Sequence, residues 1–416
     1  MSTQLAYTPI DEIPRIHADL RKSFRAGTLK SIEARRTQIL QLAYLLQTTY
    51  DRFKTTFAQD LGRPSLEVAF LELDSTIGDC KIAYDRVDKW ARTEKPKGVV
   101  LSISPFNYPV WLALGPMIGA IAAGNCFVLK PSELSPATSG LIAELIPKYM
   151  DPDVVRVVMG AVPETTKLLE LPWDHILYTG NGRVARIVCA AAAKTLSPVS
   201  LELGGKSPVV IDPNVISKPR RNVSCGANTT SSIRMVPTAS PDFCHIINQM
   251  HFNRVRGLLE KTSGTTVVGG QTDEARLFVA PTVVKGVKGD DSLMSEELFG
   301  PVLPVVPVKD VDEAIEFIND RDHPLALYVF SQDSSFKNKA IFDNTRSGTA
   351  IANDTLIHCA TDGLPFGGIG PSGSGYHARK FTFDMFTHLR ASLDSPSWID
   401  IILGSRFPPY NASPLL

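Results

Sequence analysis

Between Val99 and Ile211, short apolar and β-branched runs alternate with stretches patterned for helices, and this alternation restricts the fold more than any other feature. The run GVVLSISP reads as a buried strand stopped at Pro105. Residues 109–123, apolar and rich in small side chains, read as a helix, and 125–129 as the next strand. The pattern continues with a helix over 135–149, a strand over 154–159, a helix over 165–169 and a strand over 175–179. A helix over 183–194 and a strand over 199–203 complete it. Such a series of βαβ units implies an α/β fold with a Rossmann-like parallel sheet covered on both faces. Upstream, residues 10–90 place apolar side chains at helical spacing among charges, which predicts two or three long amphipathic helices stopped at Gly62-Arg63-Pro64. No 20–50-residue repeat is visible.

Downstream the pattern fails over residues 213–241, a polar, turn-rich and aperiodic stretch. It resumes with a helix over 242–261, strands over 265–268, 277–284 and 302–308, a helix over 311–319 and a strand over 325–331. Residues 363–375 hold six glycines, a loop that must bend sharply or approach a ligand. The 416-residue length suggests about two or three domains. We expect N-terminal helices and an α/β domain over 1–203, a smaller α/β domain over 204–375, irregular near 214–240, and a C-terminal arm over 376–416.

Charge and cysteine usage narrow the function classes. With 43 Lys+Arg against 43 Asp+Glu, the chain lacks the basic excess expected of a nucleic-acid or anionic-membrane binder. The apolar stretch from Gly98 to Lys130 is interrupted by Pro105, Asn107, Pro109 and Pro116, which argues against an integral membrane segment. The N-terminal residues lack the apolar core of a secretory leader. Six cysteines, at 80, 126, 189, 225, 244 and 359, are scattered without C-x-x-C or metal-ligand spacing. No metal site and no disulfide framework is expected, and a reducing, cytoplasmic location fits.

Several strand ends carry residues suited to chemistry, each with a plainer alternative. Asn107, in Ile103-Ser104-Pro105-Phe106-Asn107, could donate its amide to an oxyanion or simply form a turn before Pro109. Lys130-Pro131-Ser132-Glu133 could read ribose hydroxyls or be a solvated charge pair opening a helix. Thr179-Gly180-Asn181-Gly182 leads into a helix whose first N–H groups would face phosphate, although G-x-G-x-x-A alone is a weak signal. Glu202, set in an apolar strand beside Gly204-Gly205, could be a general base with a raised pKa or a buried structural carboxyl. Glu296-Glu297-Leu298-Phe299-Gly300-Pro301-Val302 and Pro365-Phe366-Gly367-Gly368 are unremarkable taken singly.

In order and spacing, PFNYP, KPSE, YTG with GR, LELGGKSP, EELFGPV, NDT and PFGGIGPSGSG resemble the aldehyde dehydrogenase superfamily, nearest its class 3, fatty-aldehyde branch. The N-terminal helices and the SRFPPY ending are similar to that branch as well, and the likeness spans nearly the whole chain except about 215–239. The resemblance implies NAD(P)-dependent oxidation of aldehydes to acids, with NAD favoured over NADP because Glu133 would repel a 2′-phosphate. It also implies a homodimer and a small-molecule aldehyde substrate. Asn107 would supply the oxyanion-hole amide and Glu202 the base that activates water. The cofactor contacts implied are Ser104, Lys130, Ser132, Glu133, Thr179, Gly180, Asn181, Glu297 and Phe299.

The family's reaction begins with a cysteine thiolate, carried by a Gly-Gln-x-Cys segment some three dozen residues after LELGGK. Here the chain passes from Asp212-Pro213 through the aperiodic stretch to Ser240-Pro241-Asp242-Phe243, and about forty family-like residues are missing. Cys225 is the one nearby thiol, without the preceding Gly-Gln and without a helix to aim it; as nucleophile or surface thiol it remains the candidate. Cys244 falls within the expected 242–261 helix, as packing. The gap should leave apolar surface without partners and a sheet edge unpaired. A shifted reading frame, an altered splice junction or a decayed gene copy would each leave such a stretch. Two readings follow: an aldehyde dehydrogenase with impaired activity, and a non-catalytic NAD(P)-binding or oligomerising homologue.

Overall fold

The computed structural model describes residues 5–215, 243–399 and 408. Four long helices precede the sheet, α1 (Glu12–Ala26), α2 (Ile32–Thr48), α3 (Tyr50–Leu61) and α4 (Asp74–Trp90), with a short helix, Ser65–Val68, and a π-helical stretch, Ala69–Leu73, between the last two. That is one or two more than the periodicity alone suggested, because short turns divide the long amphipathic run. Gly62 ends α3 at φ 60°, a left-handed cap glycine adopts without a Cβ penalty.

The alternating run folds as its pattern predicts. Strands β1 (Val99–Ile103), β2 (Cys126–Lys130), β3 (Val155–Val157), β4 (His175–Thr179) and β5 (Val199–Glu202) are joined by α5 (Trp111–Ala123), α6 (Pro136–Tyr149), α7 (Val162–Leu169) and α8 (Gly182–Ala193). The strands pair in parallel in the order β5-β4-β1-β2-β3. β1 and β2 are buried at every position, as a strand covered on both faces must be. One core, with Leu42, Phe53, Val87, Met117 and Phe127, fills the space under α2–α6. A second, with Ile13, Leu20, Leu101, Val128, Leu168 and Val188, lies under α1, α7 and α8. Each fully buried Leu, Val or Phe there contributes roughly 1.5–3 kcal/mol.

The rest of the chain is less regular. β6 (Val209–Ile211) pairs in parallel with a later strand, Ala326–Phe330, which in turn pairs with Thr349–Ala352. Thr265–Val268, Thr282–Lys285 and Val302–Val305 form a separate three-stranded sheet. The expected 277–284 strand is split at Ala280-Pro281, where proline cannot donate to a ladder. The helix expected from 242 starts only at α9 (Gln249–Lys261), capped by the Asn248 side chain. Residues 243–248 are not helical: His245 N–H donates to Leu61 and Ile246 N–H to Leu277, each 2.9–3.1 Å. Tertiary hydrogen bonds outcompete helical propensity there. Gly373–Ser374 adds antiparallel to β5 as a sixth strand of the main sheet. Lys380–Met385, a helix the periodicity did not signal, packs on α5 so closely that a Cβ on Gly119 would stand 2.4 Å from Thr382.

Candidate active site

The strand order fixes where a ligand fits. From β1 the chain winds outward through β2 and β3, then returns to place β4 on the other side of β1. The crevice at such a reversal, outside the carboxyl ends of the strands, is where open α/β sheets bind ligands. The segments following β1, β2, β4 and β5 meet that edge, and they carry Ser104–Asn107, Lys130–Glu133, Thr179–Gly182 and Glu202–Gly205.

After β2, Lys130 Nζ meets Glu133 Oε2 at 2.5 Å, the lysine buried and the glutamate half-buried. The Ser132 hydroxyl accepts from Leu134 N–H and its carbonyl accepts from Ser139 Oγ, which pins the turn. Beside it, Ser104 N–H donates to the Lys130 carbonyl at 3.0 Å, while the buried Ser104 Oγ has no protein partner. After β4, Gly180 N–H donates to the Glu202 carbonyl, and a Cβ on Gly180 would stand 2.3 Å from the Tyr178 hydroxyl oxygen. Asn181 caps α8 by accepting from Val184 N–H at 3.0 Å. The remaining N–H groups of that first turn and the positive end of the helix face the crevice side.

Glu202 is 4% exposed, and neither carboxylate oxygen has a hydrogen-bond partner. Burial without compensation pushes its pKa well above the ordinary carboxylate range. The nearest charged candidate is His377, whose Nε2 lies 4.0 Å from Oε2. Burial pushes that imidazole down to about 4, so it is neutral at pH 7.

Glu297 and Phe299 come from the chain's second half and close over the same edge. A Cβ on Gly204 would stand 2.1 Å from Glu297 Oε2, so only glycine lets that carboxylate rest on the backbone. Burial raises the pKa of that carboxyl, against the opposing pull of the Gly205 N–H, Arg254 and Lys206. Two cations hold the main chain of this segment. Lys206 donates to the carbonyls of Leu293 and Glu296, and Arg254 to those of Glu297 (3.1 Å) and Leu298 (2.6 Å). Partial burial brings Lys206 down to about 8. Phe299 adopts φ 46° and meets Phe106 edge-on at 5.5 Å.

Sequence reasoning missed the clamp behind Asn107. Arg63 donates to the Asn107 carbonyl at 2.7 Å and to Glu72 Oε1 at 2.7 Å. Glu72 Oε2 accepts from Val110 and Trp111 N–H, at 3.2 and 2.7 Å. Glu72 is fully buried, which raises its carboxyl to about 7 against the opposing pull of Arg63. The signal existed, since three charges sit among apolar residues in GRPSLEVAFLEL, but Arg63 read only as part of a helix stop. His377 carried no signal beyond its place after the glycine loop.

The cysteines divide differently from the sequence expectation. Cys225 lies outside the described residues. Cys80 and Cys126 are buried with thiols shifted upward by desolvation, so they are poor thiolates. Cys244 is not in a helix; it sits half-buried in the extended 243–248 segment, its thiol raised to about 11. Among the described residues, no group of three or more His, Cys, Asp or Glu side chains could hold a metal ion, and no helix is long and apolar enough to cross a membrane.

A doubly wound sheet with a lysine–glutamate pair, a capped helix start and an unpaired buried glutamate at its reversal point defines a dinucleotide-linked oxidoreductase site. The sequence model of the Aldehyde dehydrogenase family matches residues 5–217 and 223–391, and the chain belongs to that family. Aldehyde dehydrogenase family 3 member B1 of Bos taurus is 38% identical over 439 positions, covering 94% of this chain and 93% of the relative. That alignment is longer than the 416-residue chain, so the relative carries residues opposite gaps here. Among solved structures, the substrate-bound state of Staphylococcus aureus AldH superposes with TM-score 0.84 at 32% identity, covering 95% of this chain and 98% of that one. A Mycobacterium tuberculosis aldehyde dehydrogenase complexed with NAD+ gives TM-score 0.82 at 25% identity, covering 92% and 90%.

The residues present fit a nicotinamide dinucleotide. Ser104 Oγ is an orphaned buried hydroxyl at the crevice, Lys130 and Glu133 are paired at a strand end, and Gly180 and Gly204 leave room where a Cβ would not fit. NAD or NADP is the cofactor of this site.

Proposed function

We propose that this chain is an aldehyde dehydrogenase that keeps its cofactor cradle and its water-activating carboxyl but is impaired in the thiol-dependent half of the reaction. One observation carries the reading: none of the six cysteines follows a Gly-Gln pair, and LELGGK leads through residues 213–241 into family-like sequence with no Gly-Gln-x-Cys between. The break in the family match at residues 218–222 and the gapped alignment support it. So does Thr265–Val268, a strand exposed at all four positions, as expected where a covering segment is gone.

In the intact reaction the bound dinucleotide would supply the hydride acceptor. Lys130 and Glu133 would bind the adenosine-side ribose, with the Glu133 charge favouring NAD over NADP. Ser104, Ser132, Thr179, Gly180 and Asn181 would line the diphosphate path, and Glu297 and Phe299 would hold the nicotinamide side. The Asn107 amide would receive the oxyanion, its position set by Arg63 through the Asn107 carbonyl. Glu202 would take a proton from the hydrolytic water, since a raised pKa puts it near the working range of a general base. A thiolate displaced by even 1 Å loses about 10²-fold, and one without its scaffold loses more. A homodimer in the cytoplasm is the setting this reading expects.

Two measurements test it. Calorimetric titration should give saturable NAD+ binding, weakened about tenfold in Lys130→Ala, the ~1.4 kcal/mol of one charge-assisted hydrogen bond. Sequencing the transcript across residues 213–241 should reproduce the present codons; recovery of a Gly-Gln-x-Cys segment would restore full activity to the reading and refute impairment.

A further inference from the structure

Glu202 must exchange its proton with solvent to act repeatedly as a base, yet it is buried and neither of its oxygens has a hydrogen-bond partner. Behind it stands His377, 5% exposed, its Nε2 4.0 Å from Glu202 Oε2. A side-chain rotation closing about 1 Å makes that a hydrogen bond. The backbone of His377 is fixed by a reciprocal pair of hydrogen bonds with Phe366, at 2.7 and 2.9 Å. Phe366 and Trp111 pack against the imidazole at 5.3 and 6.4 Å.

His377 also lines a cavity of about 20 Å³ that Glu202 does not touch, shared with Asp79, Trp111 and Arg379. Such a volume suffices for one water molecule, which requires polar partners of the kind found here. Asp79 accepts from Trp111 Nε1 at 3.3 Å and from Arg379 Nε at 3.0 Å. Arg379 Nη1 reaches Asp362 Oδ1 at 3.5 Å, and Asp362, half exposed, also pairs with Arg86 at 3.1 Å. The charged groups facing His377 are thus Glu202 from β5, Asp79 from α4 and Arg379 from its own segment.

We propose that His377 relays protons between Glu202 and solvent through one water in this cavity and the Asp79 carboxylate, which releases them to bulk water at its exposed side while Arg379, tied to Asp362, holds it in place. In one transfer the Glu202 O–H bond breaks as an N–H bond forms at Nε2. The Nδ1 proton leaves to the cavity water and passes through Asp79 to bulk water. One proton moves, no electrons are exchanged, and the neutral imidazole is restored by a tautomer change. Arg379 stays charged throughout and holds the two aspartates in line. The relay rests on the reading of Glu202 as the water-activating base, but its test needs neither aldehyde nor thiol.

The test is a pH-jump experiment on the full chain, following the carboxylic C=O infrared band assigned to Glu202 by its loss in Glu202→Gln. His377→Gln should slow protonation and deprotonation of that band at least about tenfold, and added imidazole should restore the rate. Asp79→Asn should slow it as well, without shifting the position of the band. An unchanged rate in His377→Gln, or a slowed rate that imidazole fails to rescue, overturns the relay. A Glu202 carboxyl already ionised at pH 5, with no band to follow, refutes the base reading instead and takes the relay with it.

Discussion

Two buried carboxyls show how the same residue type reaches different states. Glu72 is paired by Arg63 and by two backbone N–H groups; Glu202 has no hydrogen-bond partner among the described residues. Removing Arg63 by Arg63→Met leaves Glu72 facing apolar surroundings and frees the Asn107 carbonyl. We expect destabilisation of about 1–3 kcal/mol by urea unfolding at pH 5–6 from the lost hydrogen bonds, growing above about pH 7, where the Arg63-paired Glu72 ionises and the unpaired one cannot. Glu202 has no such pairing to lose. Its folded pKa lies above its unfolded value, so the folded state binds the extra proton and stability falls as pH rises from about 4.5 through the folded pKa. Glu202→Gln should therefore match the parent in thermal melts near pH 4.5 and exceed it by about 1–3 kcal/mol at pH 8. Equal curves at both pH values would mean that Glu202 is solvated. The sequence made Glu202 visible because a lone acid in VSLELGG is conspicuous; the Arg63–Glu72–Asn107 clamp was not, because Asn107 lies more than thirty residues beyond Glu72 and only folding brings its turn onto the Arg63–Glu72 pair.

The elements divide by how local their determinants are. From Val99 to Glu202, strands and helices lie within about three residues of where periodicity put them, since each strand buried on both faces writes its apolar run directly into the sequence. Beyond residue 242 the pattern was a weaker guide. Residues 243–248 are held by hydrogen bonds to Leu61 and Leu277, and Thr349–Ala352 by pairing with a strand two dozen residues earlier in the chain. Neither partner can be read locally. At this scale α8 is a direct test, because its start both caps a helix and faces the crevice. Asn181→Ala should cost about 1 kcal/mol of stability through the lost cap. It should weaken NAD+ binding only modestly, since the backbone N–H groups remain.

For the whole molecule, the two halves have unequal cores. The cofactor-side sheet is sandwiched between two large clusters, while the second half holds two small ones, around Phe252 and Val255 and around Leu327 and Val329. Val267 and Val268 are exposed on Thr265–Val268, an edge strand of its sheet among the described residues, which is the kind of surface that self-associates on heating. Val267→Lys should lower light scattering on heating without changing NAD+ affinity. The proposed cradle draws most of its residues from the well-packed half, with Glu297 and Phe299 from the second, so NAD+ binding should depend chiefly on the first. The decisive measurement is made on one preparation: NAD+ affinity by calorimetry alongside NADH formed after mixing with NAD+ and an aliphatic aldehyde. The account predicts saturable binding with neither a burst nor steady production of NADH. Turnover abolished by Cys225→Ala would contradict it.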